Sequence, residues 1–151
     1  MKPTKQSIDT FLAGRRFAIA GVSRDPKKFG YLAFKELKEK GFDVYPVNPQ
    51  ADMILDQQCF HSLDDLPGDL KTLLVLTPKS QTTEVVKAAI GRGMNNIWIQ
   101  QKAETPEAIA YAKENQANLV TNTCILMHSD PVKGVHKFHR TLMKIFRMLP
   151  S

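Results

Sequence analysis

The chain has 151 residues, a formal net charge of +6, 42% hydrophobic and 24% charged residues, the profile of one globular domain with one core. No apolar stretch approaches the roughly 18–20 residues of a membrane span, and the opening MKPTKQSIDTFLAG has no apolar signal core, so the sequence predicts a cytoplasmic protein with no membrane partner. Two cysteines far apart, Cys59 and Cys124, argue against a disulfide framework, and the positive charge favours an anionic partner such as a phosphorylated ligand, nucleic acid or a lipid surface.

Residues 5 to 13 pattern as a short helix stopped at Gly14. RFAIAGV reads as a buried strand. FGYLAFKELKEKG places Tyr31, Leu32, Phe34 and Leu37 at helical spacing, with Gly41 as its stop. FDVYPV is a second strand, ended by Asn48-Pro49, and SLDDLP suits a short helix. KTLLVLT is a third strand, closed by Pro78. A helix over SQTTEVVKAAIGRG follows, with Ser80 as its expected N-cap. NNIWIQ is a fourth strand. TPEAIAYAKENQ is a helix with Thr105 as N-cap and Pro106 at its first position, and NLVTNT is a fifth strand. A basic amphipathic helix is expected at about residues 134–149. Apolar strands alternating with helices predict a parallel sheet covered on both faces. The expected fold is one α/β, Rossmann-like, three-layer domain over residues 1–151, with about five parallel strands in the order 3-2-1-4-5.

The turn after the first strand, GVSRDPKKFG, differs from the G-x-G-x-x-G of dinucleotide enzymes. Gly21 permits a tight turn, and N–H groups at the start of the next helix suit a phosphate. Ser23 can donate a hydroxyl, Arg24, Lys27 and Lys28 add charge, and Gly30 permits close helix packing. The plainer alternative is a simple turn with solvated lysines. At the end of the second strand an NAD site places Asp or Glu for the ribose 2′-hydroxyl. Asn48, Pro49 and Gln50 stand there instead, and Asp43 lies at the wrong end of the strand. That pattern favours a nucleotide with an extra phosphate over NAD and leaves NADP open. Thr77, Pro78, Lys79, Gln100, Asn122 and Cys124 are expected on the same rim.

The pieces IAGVSRDPKKFGYLAFKELKEKGFDVYPVNP, LLVLTP, AIGRGMNNIWIQ and NTC together resemble the small single-domain CoA-binding proteins. These are similar to the CoA-binding domain of the succinyl-CoA synthetase α subunit. The resemblance covers about residues 11 to 122. It implies that Gly21, Val22, Ser23 and Arg24, with Lys28, hold phosphates of CoA. It implies that Asn48, Pro49 and Gln50 line the adenosine end, and that Thr77 and Pro78 flank the ligand. Ile99 and Gln100 match a segment that touches CoA in the synthetases. Asn122 and Cys124 match a PNC segment whose proline and following glycine are missing here. The synthetases carry a phosphorylated histidine and their ligase machinery in a second domain, for which 151 residues leave no room. The expectation is therefore binding without catalysis.

Other constellations are weaker. Cys124, His128, His136 and His139 fit no metal signature. The helix at 134–149 pairs an apolar stripe with Lys133, Lys137, Arg140, Lys144 and Arg147, which reads as a docked surface helix. It could also serve a homodimer, RNA or anionic lipid. No recognisable nucleic-acid module, Ser-His-Asp signature or Walker loop is present. The sequence thus predicts a CoA- or acyl-CoA-binding protein with no metal and no catalytic residues. The alternatives are an NADP-dependent reductase, a CoA-binding subunit of a multi-chain acyl-CoA ligase, and a nucleic-acid-associated protein.

Overall fold

The computed structural model of the protein describes residues 2 to 129. The helix expected at 134–149, with His136 and His139, lies outside the described residues.

Five parallel strands form the main sheet: β1 (Arg16–Ala20), β2 (Asp43–Val47), β5 (Thr72–Val75), β6 (Asn96–Ile99) and β7 (Asn118–Val120). Their alternate residues build two cores, because successive side chains leave a strand on opposite faces. Phe17, Ile19, Leu74, Trp98 and Val120 point to one face. They meet Phe11 of α1 (Lys5–Leu12) and Phe34 and Leu37 of α2 (Phe29–Glu39). The Phe11 ring lies 5.1 Å from Phe17 and 5.3 Å from Trp98. Ala18, Leu73, Val75, Ile97 and Leu119 point to the other face. There they meet Val86 and Ala89 of α3 (Lys79–Gly91) and Ala108 and Ala112 of α4 (Pro106–Glu114). Helices on both faces of a parallel sheet bear out the α/β, Rossmann-like class.

The strand order is β2-β1-β5-β6-β7. Counting the five predicted strands in sequence, this is 2-1-3-4-5, not the 3-2-1-4-5 expected. Thr72–Val75 pairs with β1 (Ala18 opposite Leu73) on the side away from β2. The reason lies in β2. Proline cannot donate to a ladder and belongs on an edge. The Pro46 carbonyl faces outward and accepts the Phe60 N–H at 2.9 Å, so the missing N–H of Pro46 falls on the outer edge as well. The Phe60 carbonyl in turn accepts the Asn48 N–H at 2.9 Å, and Gln57 Nε2 donates to the Val44 carbonyl at 2.5 Å. A returning segment thus covers the place a third strand would need.

That segment holds an antiparallel hairpin that the sequence reading did not find, β3 (Met53–Ile54) and β4 (Gln57–Gln58). Its two-residue turn puts Leu55 and Asp56 at φ of 50° and 59°, the geometry of a type I′ turn without the usual Asn-Gly. SLDDLP forms a 3-10 turn over Leu63–Asp65. Helix α3 starts at Lys79 with Pro78 as its N-cap, and Ser80 lies inside it. The strand ends at Val75, and the helix begins directly after Pro78. Thr105 does cap α4, accepting the Ala108 N–H at 3.1 Å.

Helix α2 also buries a charge pair. Lys40 is 0% exposed and Glu36 2%. Lys40 Nζ stands 3.5 Å from Glu36 Oε1 and donates to Ser129 Oγ at 2.8 Å.

Candidate functional site

From β1 the chain passes through α2 to β2 on one side. From β5 it passes through α3, β6 and α4 to β7 on the other side and the other face. The paths diverge between β1 and β5. At such a switch point the carboxyl ends of the strands leave a crevice. Here it is a cleft of about 570 Å³. Its walls are the β1 turn (Ala20 to Ser23), the end of β2 (Val47 to Gln50), residues 61–64, Thr77, and one face of α3.

Two glycines let the turn exist. Gly21 has φ of +94°, and a Cβ there would lie 2.7 Å from the Leu76 carbonyl carbon and 2.8 Å from the Thr77 nitrogen. A Cβ on Gly30 would run into the Gly21 carbonyl oxygen. Gly21 lays the turn on the end of β5, and Gly30 lays the start of α2 on the turn. These are the close-approach and helix-packing roles of a dinucleotide turn, at a wider spacing. Asp25 shapes the loop between them. Its Oδ1 accepts the Lys27 N–H at 2.9 Å, its carbonyl accepts the Lys28 N–H at 3.0 Å, and its own N–H goes to Ser23 Oγ at 3.0 Å. Ser23 therefore still has its hydroxyl proton to offer the cleft.

Asn48 joins the two loops. Its Nδ2 donates to the Val22 carbonyl and its Oδ1 accepts the Gln50 N–H, both at 2.8 Å. Aspartate could not make the first bond, because an ionised carboxylate only accepts. The amide in place of an acid at this strand end is thus needed to hold the β1 and β2 loops together. Val22 is buried, while Pro49 and Gln50 are exposed.

Of the residues expected at the site, Gly21, Val22, Ser23, Asn48, Pro49, Gln50 and Thr77 come together in the cleft wall. Arg24 and Lys28 are exposed on the adjoining loop, outside the wall, and Pro78 lies behind Thr77 as the cap of α3. Ile99 and Gln100 do not join them. Ile99 is fully buried, and Gln100 accepts the Ile125 N–H at 3.1 Å under the 3-10 turn Ile125–Met127. Cys124 is buried beside it, and burial pushes its thiol above its ordinary range; the same holds for Cys59. Neither thiol is poised as a nucleophile. The Asn122 N–H donates to Glu104 Oε2 at 2.8 Å. Among the described residues, no group of three or more His, Cys, Asp or Glu could hold a metal ion, and no helix is long and apolar enough to cross a membrane.

The sequence reading missed the rest of the wall: His61, Ser62 and Asp64, and on α3 Gln81, Glu84, Val85 and Ala88. The helical part was legible, since Gln81, Glu84 and Ala88 recur at three and four on one face. Residues 61–64 follow the unpredicted hairpin, and beyond the short helix read at SLDDLP they carried no sign of a site. His61 Nε2 pairs with Asp52 Oδ1 at 2.8 Å. Charges of both signs surround the cleft, with Arg24, Lys27 and Lys28 exposed on the loop after β1 and Asp64 and Glu84 in the wall.

The chain is similar to several known proteins. It is 27% identical over 129 residues to the α subunit of ADP-forming acetate–CoA ligase II of Pyrococcus furiosus, a match of 78% of this chain and 28% of that subunit. The chain thus spans little more than a quarter of that relative's length. It is 26% identical over 124 residues to the uncharacterized protein YneT of Bacillus subtilis, covering 82% of this chain and 92% of YneT. A solved structure from Pyrococcus horikoshii superposes with a TM-score of 0.74 at 30% identity, over 83% of this chain and 92% of that one. Residues 15–130 match the CoA binding domain, and the chain belongs to that family.

Proposed function

We propose that the protein binds CoA or an acyl-CoA in the cleft at the carboxyl ends of β1, β2 and β5, in the cytoplasm and without catalysing a reaction of its own. The observation that carries this reading is the junction of Gly21, Gly30 and Asn48, which sets a basic turn against the mouth of a cleft at the switch point. The CoA phosphates lie on the turn of Gly21, Val22 and Ser23, with Arg24 and Lys28 supplying charge from its rim. The adenosine end lies along Asn48, Pro49 and Gln50, with Thr77 beside it and Pro78 behind. Gln100 acts at a distance, by holding the Ile125 N–H of the segment that begins at Cys124, and Ile99 by packing in the core beneath α3 and α4. Two buried thiols with raised pKa support binding over acyl transfer through cysteine. A calorimetric and thermal-shift panel of CoA, acetyl-CoA, NADP, NAD and ATP tests this. Ligand at 100 times its dissociation constant adds about 2.7 kcal/mol of stability. CoA and acetyl-CoA are expected to produce it and NAD not; a preference for NAD or NADP would overturn the reading.

The similarity to a ligase α subunit supports a second reading, in which the chain supplies CoA binding to a ligase assembled from separate chains. Under it, the isolated protein binds CoA but forms acyl-CoA only when its partner chain is added.

A further inference from the structure

Where a Rossmann-like site holds a nucleotide, a carboxylate at the end of the second strand accepts a hydrogen bond from a ribose hydroxyl. In this protein Asn48 occupies that place, and both ends of its carboxamide are engaged with the backbone. Thr77, only 6% exposed, is also part of the cleft wall. It adjoins the turn, since its backbone nitrogen is among the first atoms a side chain on Gly21 would meet.

The hydroxyl of Thr77 pairs with Thr82 Oγ1 at 2.8 Å. Thr82 is fully buried in α3, and its own hydroxyl donates to the Pro78 carbonyl at 3.2 Å, the usual i to i−4 bond of a helical threonine. A hydroxyl has one proton. With the Thr82 proton on Pro78, the proton between the two threonines belongs to Thr77. Thr77 Oγ1 therefore has lone pairs and no proton to offer a ligand. A phosphate oxygen, also an acceptor, is not matched there; a hydroxyl is. A nucleotide whose phosphates lie on the turn at Gly21 places its ribose next to them, beside Thr77.

We infer that Thr77 accepts the hydrogen bond of the ligand's ribose hydroxyl, taking at the end of β5 the role that β2 has no carboxylate to fill, and that Thr82 fixes this polarity from behind. The inference rests on the CoA reading. CoA carries a phosphate at its ribose 3′ position, so the donor is the 2′-hydroxyl. Thr77 is then a specificity-determining residue and Thr82 a positioning residue.

Calorimetry with CoA, 2′-deoxy-CoA and a 2′-fluoro analogue tests it. The protein should bind CoA about fivefold more tightly than either analogue, the span of one neutral hydrogen bond. In Thr77→Val the three ligands should bind alike. In Thr82→Val the Thr77 proton is released toward the cleft, so the 2′-fluoro analogue should gain on the 2′-deoxy one. Thr82→Ser should behave as the parent protein. An unchanged preference in Thr77→Val would overturn the inference. So would loss of the preference in Glu84→Gln but not in Thr77→Val, which would move the acceptor to α3. Equal binding of CoA and 2′-deoxy-CoA by the parent protein would sink the inference and leave the CoA reading standing. No binding of CoA would sink both.

Discussion

The rim of the sheet has two halves that share a chemistry and differ in outcome. At the end of β2, Asn48 uses its carboxamide to join two loops side by side, and an open cleft remains between them and α3. At the end of β6, Gln100 uses its carboxamide to hold the N–H of Ile125, and the chain closes over it. Residues 124–126 are buried there, and Trp98 Nε1 donates to the Thr123 carbonyl at 3.2 Å beneath them. Both amides satisfy backbone groups that would otherwise be orphaned. A polar residue at a strand end is therefore not by itself a ligand contact. What decides is whether the chain returning past it lies beside it or on top of it.

If the closed half serves stability and the open half serves binding, variants should separate the two. The largest effect is expected from Lys40→Ala. It removes the cation beside buried Glu36 and the donor to Ser129 Oγ under the closed half. Loss of one partner of a buried pair costs about 3–5 kcal/mol. Urea denaturation should show that loss, while CoA affinity at a temperature where the variant remains folded should match the parent. A comparable drop in affinity would join the two halves into one unit.

Gln100→Ala comes next. It leaves the Ile125 N–H buried without its acceptor, a cost of about 1–3 kcal/mol. The same two measurements apply, and a tenfold loss of CoA affinity with little loss of stability would return Gln100 to the site.

On the open half the expectation reverses. Lys28 is exposed, so Lys28→Glu should leave the denaturation midpoint almost unmoved. It should weaken CoA about tenfold by placing a negative charge beside phosphates. CoA should also bind about tenfold more tightly than dephospho-CoA. That gap should narrow at high salt, because exposed charges are screened within about 8–10 Å at physiological ionic strength. Titrations that do not distinguish the variant from the parent would remove the basic turn from the site.

The smallest effect concerns pH. Burial holds the His128 imidazole below its ordinary range, beside Thr123 Oγ1 at 2.8 Å. A depressed folded-state value means the unfolded chain takes up the proton first. Stability from this group is therefore present above about pH 6.5 and is lost as pH falls through the folded value. The denaturation midpoint should fall on acidification through that window, and less so in His128→Gln. An identical pH dependence in the variant would assign the acid loss to other groups.

Much of this was written locally. Apolar strands of three to five residues alternating with helical periodicity dictate an α/β sheet covered on both faces, because each residue's face follows from its backbone geometry alone. Gly21, Ser23 and Gly30 in the first turn, and the amide at Asn48, were legible for the same reason. Pro46 even marked β2 as an edge strand, a signal that outweighs the habit of placing a third strand outside it. Tertiary structure decided the rest. The course of residues 48–71 set the strand order, since a hairpin of two-residue strands has too little periodicity to be read. Packing between loops distant in sequence set which strand ends open to the cleft and which are sealed. Nothing near Gln100 or Lys40 in the chain indicates that Ile125 or Ser129 will lie within hydrogen-bonding reach, 25 and 89 residues away. Local sequence determines which groups a residue can offer, and only the folded chain determines whether the protein itself takes them up or leaves them for a ligand.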